Sequence, residues 1–158
     1  MNTKEKMEKL LNEMKTKTNS RFDVDYYSKK EKNPYEWKVF FEGPKGSIYE
    51  GGFYMVKVVF DDKYPNTMPQ PYFMNKIFHP HVEQSSLSCC IRPIKYDIYF
   101  VLDAVEWMFL DYDKGIDHAY NQTPKHYLLE SKEKFIKEAK SWVTQFAKMK
   151  DIDQFYDL

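Results

Sequence analysis

The sequence has few of the features that mark secreted or nucleic-acid-binding proteins. It contains only two cysteines, the adjacent Cys89 and Cys90. Adjacent cysteines do not make the disulfide framework on which small secreted domains depend. Lysine and arginine together number 24, as do aspartate and glutamate, so the net charge is zero. This balance gives no reason to expect a nucleic acid or an anionic membrane surface as a partner.

Long apolar segments are also missing. No run reaches the roughly 20 apolar residues that a membrane-spanning helix needs. The first six residues, Met1–Lys6, lack the apolar core of a secretory signal peptide. We therefore expect a protein of the cytoplasm or the nucleus. The 158 residues are 42% hydrophobic and 18% aromatic, which is enough to build one domain, spanning 1–158, around a single core.

Hydrophobic periodicity predicts an α+β domain. Apolar residues at helical spacing predict helices over 4–17, about 98–110 and about 130–148. Alternating apolar and polar residues predict strands over about 35–42 and 54–60, and a further strand that begins at Pro71. This order gives an N-terminal helix, an antiparallel meander and C-terminal helices, which we expect to pack on one face of the sheet.

A nucleophile follows the third predicted strand. The strand leads through aromatic residues into the turn His79-Pro80-His81, and the two cysteines come about ten residues later. A thiol is the best side-chain nucleophile for holding an acyl group as a thioester. The preceding turn can direct hydrogen-bond donors toward the acyl oxygen. The pattern therefore indicates acyl-thioester chemistry.

Four motifs in order carry a family resemblance. They are Gly43-Pro44 with Tyr49–Phe53, Tyr64-Pro65 with Pro69, Phe73 with His79-Pro80, and the cysteine. Over nearly its whole length, from the first helix to Trp142, the chain resembles the ubiquitin-conjugating enzymes, or E2 proteins. The resemblance implies a UBC-like α+β fold, with a four-stranded antiparallel meander, an N-terminal helix and C-terminal helices. It implies neither a cofactor nor a metal.

The resemblance also implies a reaction. An E2 accepts ubiquitin or a ubiquitin-like protein from an E1 activating enzyme as a cysteine thioester, and passes it to a substrate lysine, usually with an E3 ligase. The segment Phe73–Pro80, and Tyr112 and Asp117 further on, look like the E2 subgroup associated with histone substrates and with regulated degradation of metabolic enzymes.

Either cysteine fits the family spacing, because Cys89 is ten residues and Cys90 eleven residues after His79. The family places aliphatic residues directly before, directly after and four residues after the nucleophile. If Cys90 is the nucleophile, Ile91 directly follows it and Ile94 lies four residues after it. Cys89 then takes the aliphatic position directly before it, since buried free cysteine behaves as a small hydrophobe. These neighbours favour Cys90.

Two other interpretations of the cysteines stay open. Both could be structural, which is a common fate of free cysteine. Alternatively, His79 and His81 could bind a metal together with Cys89 and Cys90. Adjacent cysteines point in divergent directions, however, and this spacing matches no usual zinc motif.

Two further residues are predicted at the catalytic site by resemblance. His81 stands where the family usually has asparagine; a ring N–H can still donate, but the charge of an imidazole depends on pH. Asp117 occupies the acidic position that the family keeps beside the cysteine, and its alternative role is that of a surface residue next to a helix. We expect His118 and His126 to face solvent.

The partner surfaces are predicted to be divergent. Lys4, Lys6 and Lys9 lie on the first helix, which E2 proteins present to E1. Asn66 replaces the phenylalanine of the first E3-binding loop, and the second loop, between Ile94 and Ile98, looks shortened. These departures leave a second hypothesis open: a catalytically inactive E2-variant adaptor that binds ubiquitin or a partner E2.

Overall fold

A computed structural model describes residues 1–17 and 22–158. The chain begins with helix α1 (Thr3–Thr16), followed by strands β1 (Asp23–Tyr26), β2 (Glu36–Glu42), β3 (Phe53–Val59) and β4 (Gln70–Phe73). Next come helices α2 (Ile98–Met108), α3 (Gln122–Glu130), α4 (Lys132–Phe146) and α5 (Met149–Ile152). Two 3-10 turns complete the described elements, at Ile116–His118 and at the C-terminal segment Asp153–Asp157.

The four strands form one antiparallel sheet in the order β1-β2-β3-β4. Strand alternation explains which side chains reach the core, because successive residues point to opposite faces. Three inward residues of β2 and three of β3 are buried: Trp37, Val39, Phe41, Tyr54, Val56 and Val58. Apolar faces of α1, α2 and α4 complete this main core. The predicted α+β fold with its four-stranded meander is confirmed.

Phe109 lies at the centre of the main core. It follows α2 directly, and its ring is fully buried. It contacts four other aromatic rings, with centroid separations between 5.2 and 6.4 Å: those of Phe41, Tyr49, Tyr54 and Phe73. The end of α2 is thereby fixed against the sheet, close to the predicted thioester site.

One predicted boundary was wrong, and two elements were not predicted. The segment predicted as one helix over 130–148 is interrupted at Ser131. The backbone N–H of Ser131 donates to Tyr127 O at 2.9 Å at the end of α3, and its hydroxyl accepts from the N–H of Lys134 at 3.3 Å at the start of α4. Helix α3 was not predicted, because Pro124 is its only buried residue and its apolar stripe is weak. Strand β1 was not located, because aspartate, which is depleted in strands, occupies two of its four positions.

The helices do not all lie on one face of the sheet. Lys38 of β2 points away from the main core, yet it is buried, and its ammonium group donates to Phe155 O at 2.7 Å. Helix α5 packs against β3, where Met55 also points away from the core and is buried. The C-terminal segment therefore covers the second face. Within 1–17 and 22–158, the structure has no helix with the length and apolar character needed to cross a membrane.

Candidate functional site

The two cysteines lie in a segment that pairs with strand β4 on one side and with the turn at His81 on the other. The backbone N–H of Cys89 donates to Pro71 O at 3.0 Å, and the N–H of Cys90 donates to His81 O at 2.8 Å. Because these bonds run in opposite directions, the two side chains face opposite sides. Cys89 is 2% exposed and belongs to the main core, whereas Cys90 is half-buried.

The burial of Cys89 changes its chemistry. Loss of hydration, with a smaller contribution from neighbouring Cys90, raises the pKa of the Cys89 thiol far above its ordinary value. The thiolate is the nucleophilic form of cysteine, so this side chain cannot attack a carbonyl from its buried position. Of the two cysteines, Cys90 alone lines an open surface groove.

The groove beside Cys90 has a volume of about 560 Å³. One wall is the exposed face of α2 with the segment that follows the cysteine, and its large apolar side chains are Ile94, Phe100 and Trp107. The polar lining comprises His81, Arg92, Asp103, Asp111, Lys114 and His118. The thiol therefore opens onto a groove that has apolar side chains along one wall and both charge signs elsewhere.

His79 does not face this groove. It is fully buried beneath the turn, with its ring stacked on Tyr49 at a centroid distance of 5.8 Å. Its Nε2 lies 2.6 Å from Met108 O, and its Nδ1 accepts the backbone N–H of His81 at 3.0 Å. The proton must therefore be on Nε2. Desolvation lowers the pKa of His79 to about 3, outweighing the opposing effect of the Met108 carbonyl, so the ring stays neutral and acts as a structural bridge.

His81 joins three parts of the site. Its backbone carbonyl accepts the N–H of Cys90, and its ring Nε2 lies 2.5 Å from Lys114 O. A carbonyl can only accept, so this Nε2 carries a proton. Gly115 follows with φ of +60°, and a side chain there would begin 3.8 Å from the His81 ring. The imidazole thus holds the loop after α2 close to the cysteine segment.

Cys90 and His81, which were both predicted as site residues, line the same groove, whereas Asp117 does not. Asp117 is exposed on the 3-10 turn, and its backbone carbonyl accepts from Lys125 Nζ at 3.2 Å. The next residue, His118, lines the groove instead. A short 3-10 turn sends neighbouring side chains in different directions, so sequence position alone does not decide between them. The catalytic roles of Cys90, His81 and Asp117 remain predictions.

The sequence analysis gave no site role to two supporting residues, of which Tyr49 appeared only as part of a family motif. The hydroxyl of Tyr49 donates to Phe78 O at 2.6 Å, and Asn121 Nδ2 donates to Val82 O at 2.9 Å. The backbone N–H of Asn121 also donates to Pro80 O at 3.0 Å. These bonds fix the turn from both sides. Their sequence separations, 29 and 39 residues for the side-chain bonds, leave no local pattern by which they could have been found.

A metal centre finds no support at this turn. Both ring nitrogens of His79 have backbone partners, and Cys89 points into the core. The described part of the chain contains no group of three or more His, Cys, Asp or Glu side chains arranged to hold a metal ion.

Comparison with known proteins identifies the family. The family model described as ubiquitin-conjugating enzyme matches residues 6–143. The chain belongs to the ubiquitin-conjugating enzyme family. Ubiquitin-conjugating enzyme E2-23 kDa of Triticum aestivum is 31% identical over 124 residues, which cover 75% of this chain and 67% of the wheat protein. The 24 kDa enzyme of Saccharomyces cerevisiae is also 31% identical, and the match covers 77% of this E2 but only 58% of the yeast protein.

Solved structures support the fold independently. The E2 domain of a Toxoplasma gondii ubiquitin-conjugating enzyme superposes with a TM-score of 0.77 at 23% identity, and covers 91% of this chain and 98% of that one. A structure titled as a putative ubiquitin-conjugating enzyme from Plasmodium yoelii gives a TM-score of 0.76 at 24% identity, with 90% and 94% coverage. At these identities the likeness establishes the UBC fold, and this E2 is a divergent member.

The predicted E3-binding loops lie side by side in this E2. The hydroxyl of Tyr64 in the first loop accepts the backbone N–H of Ile98, which follows the second loop, at 2.9 Å. Asn66 is exposed in the first loop, and Ile94 is 91% exposed at the start of the second. On α1, Lys4, Lys6 and Lys9 are exposed as well.

Proposed function

We propose that this chain is an active E2 that carries ubiquitin, or a ubiquitin-like protein, as a thioester on Cys90. The observation that supports this most directly is the opposite orientation of the two cysteines. Cys89 is in the core, and Cys90 opens onto the groove with its backbone held by His81. A structural cysteine would have no need of that open position.

The proposed chemistry is two successive acyl transfers. The Cys90 thiolate attacks the thioester carbonyl that joins the modifier to E1, a new C–S bond forms, and the E1 cysteine leaves as its thiolate. A lysine amine of the protein substrate then attacks the Cys90 thioester, so that an amide bond forms and the Cys90 thiol is released. Neither step needs a cofactor or a metal, because the thioester is already activated.

His81 is proposed as a positioning residue for this reaction. It joins the backbone of Cys90 to that of Lys114, and so sets the distance across the groove. Asp117 remains a candidate for orienting the incoming amine, although its side chain would have to turn toward the groove from its exposed position. Water exclusion by a bound substrate would lower the pKa of that amine and favour its attack.

The alternative is an E2-variant adaptor that has lost activity but binds ubiquitin or a partner E2. The replacement of the family asparagine by His81 favours it. The geometry favours the enzyme, since His81 still provides a ring N–H, which donates to the loop opposite the cysteine.

We also propose that 1–158 forms a single UBC core domain, that its partners are an E1, an E3 with a divergent docking surface and a substrate protein, and that it acts in the cytoplasm or the nucleus.

The decisive experiment is a charging assay with matched cysteine variants. The protein is incubated with E1, ATP and a panel of modifiers, and a band lost on reduction marks the thioester. Cys90→Ser should give an oxyester that resists reduction, and Cys89→Ser should still form the thioester. Loss of charging in Cys89→Ser, with normal charging in Cys90→Ser, would contradict the assignment. Absence of charging of the unmodified protein with every modifier would favour the adaptor.

A further inference from the structure

The loop between α2 and α3 is fixed to the turn beside the cysteine at both of its ends. At its start, the carbonyl of Lys114 accepts from the ring of His81. At its end, the backbone N–H of Asn121 donates to Pro80 O at 3.0 Å, and the side-chain Nδ2 of Asn121 donates to Val82 O at 2.9 Å. These two carbonyls flank His81, so Asn121 holds the turn on both sides of a residue that lines the groove.

The side chain of Asn121 does not take the role that its position favours. It precedes α3 at the N-cap, where an asparagine side chain usually accepts a backbone N–H of the first helical turn, yet it makes no such bond. Among the described residues, its Oδ1 is also the only buried side-chain nitrogen or oxygen atom without a hydrogen-bond partner. Both features are unfavourable for stability. An arrangement that gives up the helix cap for a bond to the turn indicates that the bond serves the site.

We propose that Asn121 is a positioning residue for transfer of the modifier to lysine. The loop that it closes carries His118, which lines the groove, and Asp117, the candidate for orienting the incoming amine. The turn to which it is bonded holds the backbone of Cys90. Asn121 therefore sets how the loop lies relative to the thioester. This inference rests on the proposed function, because it needs the Cys90 thioester as the acyl donor.

A positioning role affects transfer to lysine more than the other reactions of the thioester. The lysine nitrogen has to be held about 3–3.5 Å from the thioester carbonyl carbon, and a misplacement of about 1 Å can slow such a reaction about a hundredfold. Charging depends on the Cys90 thiolate, and the bond from the Cys90 N–H to His81 O does not involve Asn121. Hydroxylamine is a small and strongly reactive nucleophile, so it attacks a thioester without being held by the protein. These three reactions therefore separate a positioning role from a general loss of structure.

The variant that isolates this role is Asn121→Ser. A serine hydroxyl lies one atom nearer to the backbone than Nδ2, so it cannot replace the bond to Val82 O, whereas the backbone bond to Pro80 O is kept. Serine is as good an N-cap as asparagine, so the urea concentration at the midpoint of unfolding should change little. Gln122→Ser is the matched control, because Gln122 is exposed and its Nε2 donates to Ala119 O, within its own loop, at 3.5 Å.

The test is a single-turnover assay with ubiquitin as the modifier. Each protein is charged, E1 is stopped, and loss of the thioester is followed with free lysine at several concentrations and, separately, with hydroxylamine. We expect Asn121→Ser to lower the rate constant for transfer to lysine roughly tenfold or more, while charging and the reaction with hydroxylamine stay within about twofold of the unmodified protein. Asn121→Ala, which removes the donor without adding a hydroxyl, should show the same selective loss. Gln122→Ser should match the unmodified protein in all three reactions.

The outcomes separate the two proposals. If the unmodified protein forms no thioester, both the proposed function and this inference fail. If the thioester forms and Asn121→Ser transfers to lysine as fast as the unmodified protein, the inference is wrong and the function stands. The same conclusion follows if the reaction with hydroxylamine slows as much as transfer to lysine, or if Gln122→Ser is equally slow. Unfolding of both Asn121 variants would also overturn the inference, because the residue would then be needed for the fold as a whole.

Discussion

The buried imidazole of His79 should make this protein sensitive to acid. Its ring is fully buried and accepts the His81 N–H at Nδ1, so protonation would require a charge in the core and the loss of that bond. Burial lowers the pKa of His79 to about 3 in the folded protein, whereas an unfolded chain has the ordinary value of about 6.5. Between these two pH values, the unfolded state binds a proton that the folded state does not.

The size of the effect follows from that difference. Because the unfolded state binds more protons, the free energy of unfolding falls as pH decreases below about 6.5, at about 1.4 kcal/mol per pH unit, until about pH 3. Between pH 7 and pH 5, this single residue should therefore remove about 2 kcal/mol from the free energy of unfolding. With an ordinary dependence of that free energy on urea, the urea concentration at the midpoint of unfolding should be about 1 M lower at pH 5 than at pH 7.

The perturbation is His79→Gln, whose amide can donate and accept but does not titrate. Urea unfolding at pH 7 and pH 5 is compared for the unmodified protein and the variant. The variant will be less stable at pH 7, because it loses the stacking on Tyr49. Between pH 7 and pH 5, however, its free energy of unfolding should decrease by about 2 kcal/mol less than that of the unmodified protein. His126→Gln, which removes an exposed histidine, should keep the full dependence. If the free energy of unfolding decreases equally in the unmodified protein and in His79→Gln, His79 is not the source of the acid sensitivity.

Two further predictions concern transfer of the modifier. His81→Ala should slow single-turnover transfer to lysine, because the side chain that joins the loop after α2 to the cysteine segment is lost; equal transfer rates in the two proteins would exclude this positioning role. A promiscuous RING domain should stimulate transfer of the modifier from Cys90 only weakly, since Asn66 replaces the apolar phenylalanine of the first E3-binding loop. Loss of such an anchor typically costs about 2 kcal/mol, or roughly thirtyfold in affinity. Asn66→Phe should recover part of that affinity in a titration, and tight binding by the unmodified chain would place the docking surface elsewhere.

Local periodicity determined most of the fold. Alternation in 35–42 and 54–60 predicted β2 and β3 because side chains on a strand alternate between two faces. Helical spacing predicted α1, α2 and α4 because their apolar stripes are strong. The weak apolar stripe of α3 and the two aspartates of β1 explain why these two elements were not predicted. The order of motifs around His79-Pro80 gave the resemblance to the family, which the family model then confirmed.

Sequence patterns predicted only part of the candidate site. The aliphatic neighbours of Cys90 favoured it over Cys89, and the tertiary structure supplies the physical reason: the two side chains point to opposite sides of the segment. The exposed position of Asp117, and the presence of His118 and Lys114 in the groove, depend on how a 3-10 turn is oriented against α2. Sequence spacing does not encode that orientation.

By itself, the sequence determined the types of most elements, the family and a thiol that follows a His-Pro turn. These properties depend on neighbours within a few residues, or on patterns repeated along one element. The tertiary structure alone decided which groups share the groove, the neutral state of His79 and the covering of the second sheet face by the C-terminal segment. Each of these depends on contacts between residues far apart in the sequence, such as His81 with Lys114, His79 with Met108, and Lys38 with Phe155. Such contacts form only when the whole chain packs.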